Sequence, residues 1–90
     1  MPFKPATTLN GATATEEQIN AFYAAVRRYQ EQLGDYRACL DKKIEAAKAA
    51  GDRVQIEALS KQYDESVTNE EQVVGAFNAA LKAYRERHPG

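Results

Sequence analysis

Several residue types are scarce in this sequence, and each scarcity narrows what the chain can be. Cys39 is the single cysteine among 90 residues, which excludes an intramolecular disulfide framework and a cysteine-based zinc site. Tryptophan is absent, and the three prolines lie at positions 2, 5 and 89. Because no proline interrupts residues 6–88, the backbone of that whole span is free to form long helices.

An excess of one charge sign is also lacking, since 12 basic residues oppose 13 acidic ones for a net charge of -1. No overall field would draw the chain to nucleic acid or an anionic membrane, so we expect no nucleic-acid partner. No long apolar run suggests a signal peptide or a transmembrane segment. As written, the sequence predicts a cytoplasmic protein, or a periplasmic or secreted one if an export signal has been removed.

The dominant feature of the chain is one long amphipathic stretch at residues 16–50. Thr15 and Gln18 form a capping-box pattern at its start, and Gly51 supplies the residue best suited to end a helix. We therefore predict a helix over residues 16–50. The preceding residues 1–14 show neither a helical nor a strand period, and we expect a flexible leader there.

A second helix is predicted over residues 53–87, after a turn at residues 51–52, because Asp52 is a favourable N-cap. The predicted fold is all-α: a long antiparallel two-helix hairpin, coiled-coil-like, forming a single domain at residues 15–88. The stretch from Ser66 to Asn69 is poor in helix formers, and Thr68 with Glu71 matches another capping box. A break at that stretch would give a three-helix bundle instead.

Both arms carry an apolar seam at alternating three- and four-residue spacing, which is typical of a coiled coil. With a tight turn at Gly51, partners whose residue numbers add up to about 103 should face each other, which places Val26 against Phe77. Each arm has one additional four-residue step, and the two steps fall at the same level, which favours the hairpin. The seam residues are Ile19, Phe22, Val26, Tyr29, Leu33, Tyr36, Leu40, Ile44, Ile56, Leu59, Tyr63, Val67, Val74, Phe77, Leu81 and Tyr84.

No catalytic, cofactor-binding or metal-binding motif is found in the sequence, and we expect no enzyme activity and no cofactor. Cys39 lies beside the seam, where a small half-buried hydrophobe is the simplest interpretation and a redox contact the alternative. His88 is the only histidine and lies at the end of the second arm, where its charge would complement the helix dipole. The tyrosines of the seam are expected to be core residues, with a ligand-binding groove as the alternative.

The second arm resembles small uncharacterised bacterial helical-hairpin proteins. The resemblance rests on residues 62–67, 70–74 and 77–81, whose sequences are QYDESV, EEQVV and FNAAL, together with the Gly-Asp turn before them. Such proteins often carry an export signal, which would imply a periplasmic or secreted setting. The resemblance implies no activity.

These observations favour a non-enzymatic structural or interaction protein that self-associates, or docks on a partner helix, through its apolar seam. Alanines beside the seam would let another helix approach closely, so we expect a homodimer in which two hairpins form a four-helix bundle. The alternative is a small binding module whose tyrosine-lined groove takes an apolar ligand.

Overall fold

The structure, a computed structural model that describes residues 1–88, is an all-α helical hairpin. Helix α1 spans Glu16–Ala50 and helix α2 spans Arg53–Arg87, each 35 residues long. The two helices pack against each other in a rod with extents of 57 × 19 × 16 Å. The predicted hairpin and its helix bounds are confirmed, and the three-helix alternative is not what forms.

The ends of α1 are set by the signals that the sequence carries. Thr15 Oγ1 accepts from the Gln18 N–H at 3.2 Å, and Gln18 Oε1 accepts from the Thr15 N–H at 2.9 Å, which together form the capping box. Gly51 ends the helix in the left-handed region, with φ 68° and ψ 25°. The Asp52 N–H then donates to the Ala47 carbonyl at 2.9 Å, and Asp52 Oδ1 caps α2 at the Gln55 N–H. The turn therefore needs only two residues outside the helices.

Burial within the rod follows seven-residue rows on both helices. Phe77 packs edge-to-face on Phe22, with ring centroids 5.4 Å apart, and belongs to the same core cluster as Val26. The first buried residue of α2 is Leu59, with 7% of its surface exposed. The buried row is Ile19, Val26, Leu33, Leu40 and Ala47 on α1 and Leu59, Ser66, Val73 and Ala80 on α2. On α2 the buried row stays regular without the predicted additional step, whereas on α1 Ile44 packs against the core near the turn and Lys43 is exposed, as the predicted step requires.

Residues 4–14 of the leader lie along α2, which the interpretation of this segment as a flexible leader did not anticipate. Lys4 Nζ donates to Gln72 Oε1 at 3.0 Å, and Leu9 and Ala14 join the main core cluster. Gly11 is buried against α2 so closely that a Cβ there would overlap the Ala80 carbonyl. The leader thus runs beside α2 and covers part of its alanine-rich flank.

Candidate functional site

The seam residues of α1 lie where the sequence predicts, facing α2. Six of them are buried and the remaining two, Tyr36 and Ile44, are half-buried. The six buried residues are Ile19, Phe22, Val26, Tyr29, Leu33 and Leu40. Because they pack within the hairpin, this seam is already occupied by the chain's own second helix.

The predicted seam of α2 is displaced from the observed core in its second half. Leu59 is buried, while Ile56, Tyr63, Val67, Val74, Phe77, Leu81 and Tyr84 are all half-buried. The buried positions are those just before three of them: Ser66, Val73 and Ala80. Val67, Val74 and Leu81 therefore lie at the edge of the core.

A polar cluster at mid-length divides the core into two parts. The cluster contains Arg37 from α1, and Ser66 and Glu70 from α2. Arg37 Nη1 lies 2.8 Å from Glu70 Oε1, and Arg37 Nε donates to Ser66 Oγ at 2.9 Å. Leu33 belongs to the apolar cluster on one side and Leu40 to the cluster near the turn. A charge pair is thus the link between two separate apolar cores.

Ser66 is buried in this cluster without leaving its hydroxyl unsatisfied. Its Oγ donates to the Tyr63 carbonyl at 2.6 Å while accepting from Arg37, and 0% of the residue is exposed. Such a bond back to the preceding turn is compatible with a continuing helix. The bonds to Tyr63 and Arg37 explain why α2 runs on through a stretch of weak helix formers.

Tyr29 lies in the apolar core beside this cluster, with only 2% of its surface exposed. Its hydroxyl and Arg37 Nη2 are buried without a hydrogen-bond partner. Burial raises the pKa of the Tyr29 phenol above its ordinary value; Arg37 opposes the rise, Glu70 adds to it, and the Asn69 amide opposes it. The phenol is therefore held in its neutral form over the physiological range.

Arg37 and the burial of Ser66 were not predicted from the sequence. Arg37 lies one position after the seam residue Tyr36, and Glu70 lies one heptad before Phe77. Their spacing did carry a signal, since an acid at a seam position faces a base beside the opposite seam. The predicted additional step after Tyr63 concealed Ser66, because it assigned the seam position to Val67.

The other candidate residues lie apart from the cluster. Cys39 is exposed, so the prediction of a half-buried residue is wrong. The ring of His88 packs on Tyr84 at 4.5 Å between centroids. Across residues 1–88 no group of three or more histidine, cysteine and acidic side chains is placed to hold a metal ion. Within the same range, neither helix combines the length and apolar character needed to cross a membrane.

The seam tyrosines do not line one shared groove. Tyr29 is buried, Tyr84 lines a groove at the end of the rod where the leader meets α1, and Tyr63 lines one near the turn. The groove near the turn has a volume of about 590 Å³, with an apolar floor of Ile44, Ile56 and Tyr63. Each groove therefore offers a single phenol to a ligand.

Comparison with known proteins gives no relative: the chain matches no family model, no curated protein and no solved structure. The resemblance to bacterial helical-hairpin proteins stays an expectation from the sequence.

Proposed function

We propose that this chain is a non-enzymatic interaction protein that binds another helix, in a second copy of itself or in a partner, along the outer face of its hairpin. In this proposal the two helices form an antiparallel coiled coil that holds the face straight. What supports it is the rod-like form, 57 Å long and 19 Å across its second axis. A rod of this form offers long helical faces for docking and only shallow grooves for a small substrate.

The observation that carries the proposal is the row of larger apolar side chains at the edge of α2. Val67, Val74 and Leu81 recur every seven residues and keep part of their surface exposed, while Ser66 and Ala80 take the interior positions. Burying this row would add about 25 cal/mol for each Å² of apolar surface removed from water. The row is thus suited to contact with another helix.

The leader determines which flank of α2 remains available. Residues 4 and 11 contact Gln72 and Ala80, so the alanine flank that we expected to receive a second hairpin is partly covered. Val67, Val74 and Leu81 lie on the opposite flank, since side chains at these positions point away from Gln72 and Ala80 around the helix. A four-helix bundle of two hairpins would form across that flank.

Photo-crosslinking in the native cell tests the proposal directly. A photoreactive residue placed at Val74 is expected to capture a second copy of the chain or one defined helical protein. The same residue at Gln32, which is exposed on α1, serves as the control and should capture neither. Failure to capture any chain at Val74, with a normal helical spectrum, would contradict the proposal.

A second candidate function is suggested by the groove near the turn. Its floor of Ile44, Ile56 and Tyr63 lies under a charged rim that includes Glu45 and Lys48, an arrangement found in sites for apolar ligands with a polar end. Native mass spectrometry of the protein purified from its own cells tests this. A bound small molecule that is lost in Tyr63→Ala would support the candidate, and a bare chain mass would contradict it.

A further inference from the structure

The outer flank of α2 carries a second seven-residue repeat that the hairpin does not use. Beside Val67, Val74 and Leu81 runs a row of exposed polar residues, spaced three and four positions from them. This polar row is Asp64, Glu71, Asn78 and Arg85. Alternating three- and four-residue steps place both rows on one helical face, which we call the outer stripe. The leader contacts the opposite flank and leaves the outer stripe uncovered.

The outer stripe is open to close approach at its centre. Two surface grooves of about 370 and 360 Å³ meet at Asn78, one containing Val74 and Gly75 and the other containing Leu81. Nothing lies within 4 Å of where a Cβ on Gly75 would be. A helix crossing at this point can therefore bring its backbone nearer than any side chain would allow.

The charges of the outer stripe change sign along its length. Its first half carries Asp64 and Glu71, and its second half carries Arg85, with Lys82 and Glu86 beside it in the same groove. Two copies of α2 packed in parallel would place acid on acid and base on base. Two copies packed antiparallel place the acidic half of each against the basic half of the other, so the surface is complementary to itself under a two-fold rotation.

We propose that the outer stripe binds a second copy of this chain, with the two α2 helices antiparallel and a two-fold axis passing between Gly75 and Asn78. This inference rests on the proposed function and names its partner. In the dimer Glu71 lies within reach of Lys82 and Arg85 of the other copy. Leu81 of each copy packs toward the open position at Gly75 of the other. The polar Asn78 near the axis sets the register of the two copies, as buried polar residues do in coiled coils.

Sedimentation equilibrium over a concentration series, with the full chain and five variants, tests the dimer. The wild type is expected to reach twice the chain mass of 10.0 kDa. Glu71→Arg and Arg85→Glu should each raise the dimer Kd by about tenfold, since like charges then face each other. The double variant Glu71→Arg/Arg85→Glu restores opposite charges between positions 71 and 85 while Lys82 stays basic, so its Kd should fall about threefold or more below that of either single variant.

Two matched glycine substitutions test whether the outer stripe, and not another exposed helical surface, forms the dimer contact. Gly75→Leu fills the open centre and should raise the dimer Kd by about tenfold or more. Gly34→Leu is the matched control, since Gly34 is also exposed within a helix with nothing within 4 Å of its Cβ position, and it should leave the Kd unchanged. Circular dichroism confirms that each variant keeps its helices.

The outcomes distinguish this inference from the proposed function. A wild-type mass of one chain at every concentration overturns the dimer, whereas capture of a different helical protein at Val74 would still support the proposed function. A dimer whose Kd does not respond to Gly75→Leu or to either charge reversal overturns the outer stripe as the contact. A double charge reversal that binds no more tightly than either single variant overturns the antiparallel arrangement.

Discussion

Gly11→Ala is the substitution whose effect the structure determines most sharply. A Cβ at this position would overlap the Ala80 carbonyl oxygen, which is backbone and cannot rotate away. The leader must then lift from α2, so Leu9 loses its packing and Ala14 loses part of its burial. Taking half the value of a fully buried leucine plus about one methyl group, we expect a loss of about 1.5–2.5 kcal/mol in the free energy of unfolding.

Urea unfolding followed by circular dichroism measures this loss, with Gly34→Ala as the matched control. Gly34 is an exposed helical glycine with open space at its Cβ position, so alanine there should stabilise the protein by about 0.5–1 kcal/mol. The two glycine-to-alanine changes are therefore expected to have opposite signs. If Gly11→Ala proves as stable as the wild type, the leader does not pack on α2 as described.

Three further predictions concern the core and the polar cluster. Leu33 is 0% exposed, so Leu33→Ala should lower the free energy of unfolding in urea by about 2–5 kcal/mol. Val54 is 78% exposed, so Val54→Ala should change it by under about 0.5 kcal/mol. Equal losses would contradict the placement of Leu33 in the core. A double-mutant cycle of Arg37→Met and Glu70→Gln should give a coupling of about 1 kcal/mol, because the two side chains retain 21% and 29% exposure; a coupling near zero would show that the pair does not link the helices. The folded state raises the pKa of the Tyr29 phenol. Its contribution to stability is therefore complete below the ordinary tyrosine pKa of about 10 and is lost as pH rises through the folded pKa. Tyr29→Phe should lose less stability than the wild type between neutral and alkaline pH, and identical pH profiles would contradict the raised pKa of Tyr29.

The helix bounds were predictable from the sequence because local chemistry determines them. The Thr15 capping box, the left-handed Gly51 and the Asp52 cap all form as the residue types indicate. Each of these depends on atoms within a few positions along the chain, so no tertiary information is needed. The antiparallel arrangement followed as well, since a two-residue turn leaves two long helices no other way to bury their apolar faces.

The displaced core of α2 could not be read from hydrophobicity alone. The sequence offers Val67, Val74 and Leu81 as the more apolar row, yet Ser66 and Ala80 are buried. Close packing of two helices favours small residues where their axes approach, and Arg37 satisfies the serine hydroxyl from the other helix. Arg37 and Ser66 fit the predicted sum of 103, so it was the additional step assigned to Val67, and not the register, that concealed the buried serine.

The position of the leader was missed for a related reason. Residues 1–14 have no helical or strand period, which normally indicates an unstructured segment. Their contacts depend on a glycine at position 11 fitting against one carbonyl of α2 and on single anchors such as Leu9. Contacts of this kind leave no repeating pattern in a sequence.

Pulsed electron spin resonance on one doubly labelled chain tests the hairpin most directly. Labels at Ala21→Cys and Ala79→Cys, both exposed in the hairpin, would be placed in a Cys39→Ser background and diluted with unlabelled protein to exclude distances between chains. Antiparallel helices whose axes lie 8–10 Å apart predict a distance below about 25 Å. A distance approaching about 85 Å, the value for one continuous helix rising 1.5 Å per residue, would contradict the hairpin and every proposal built on it.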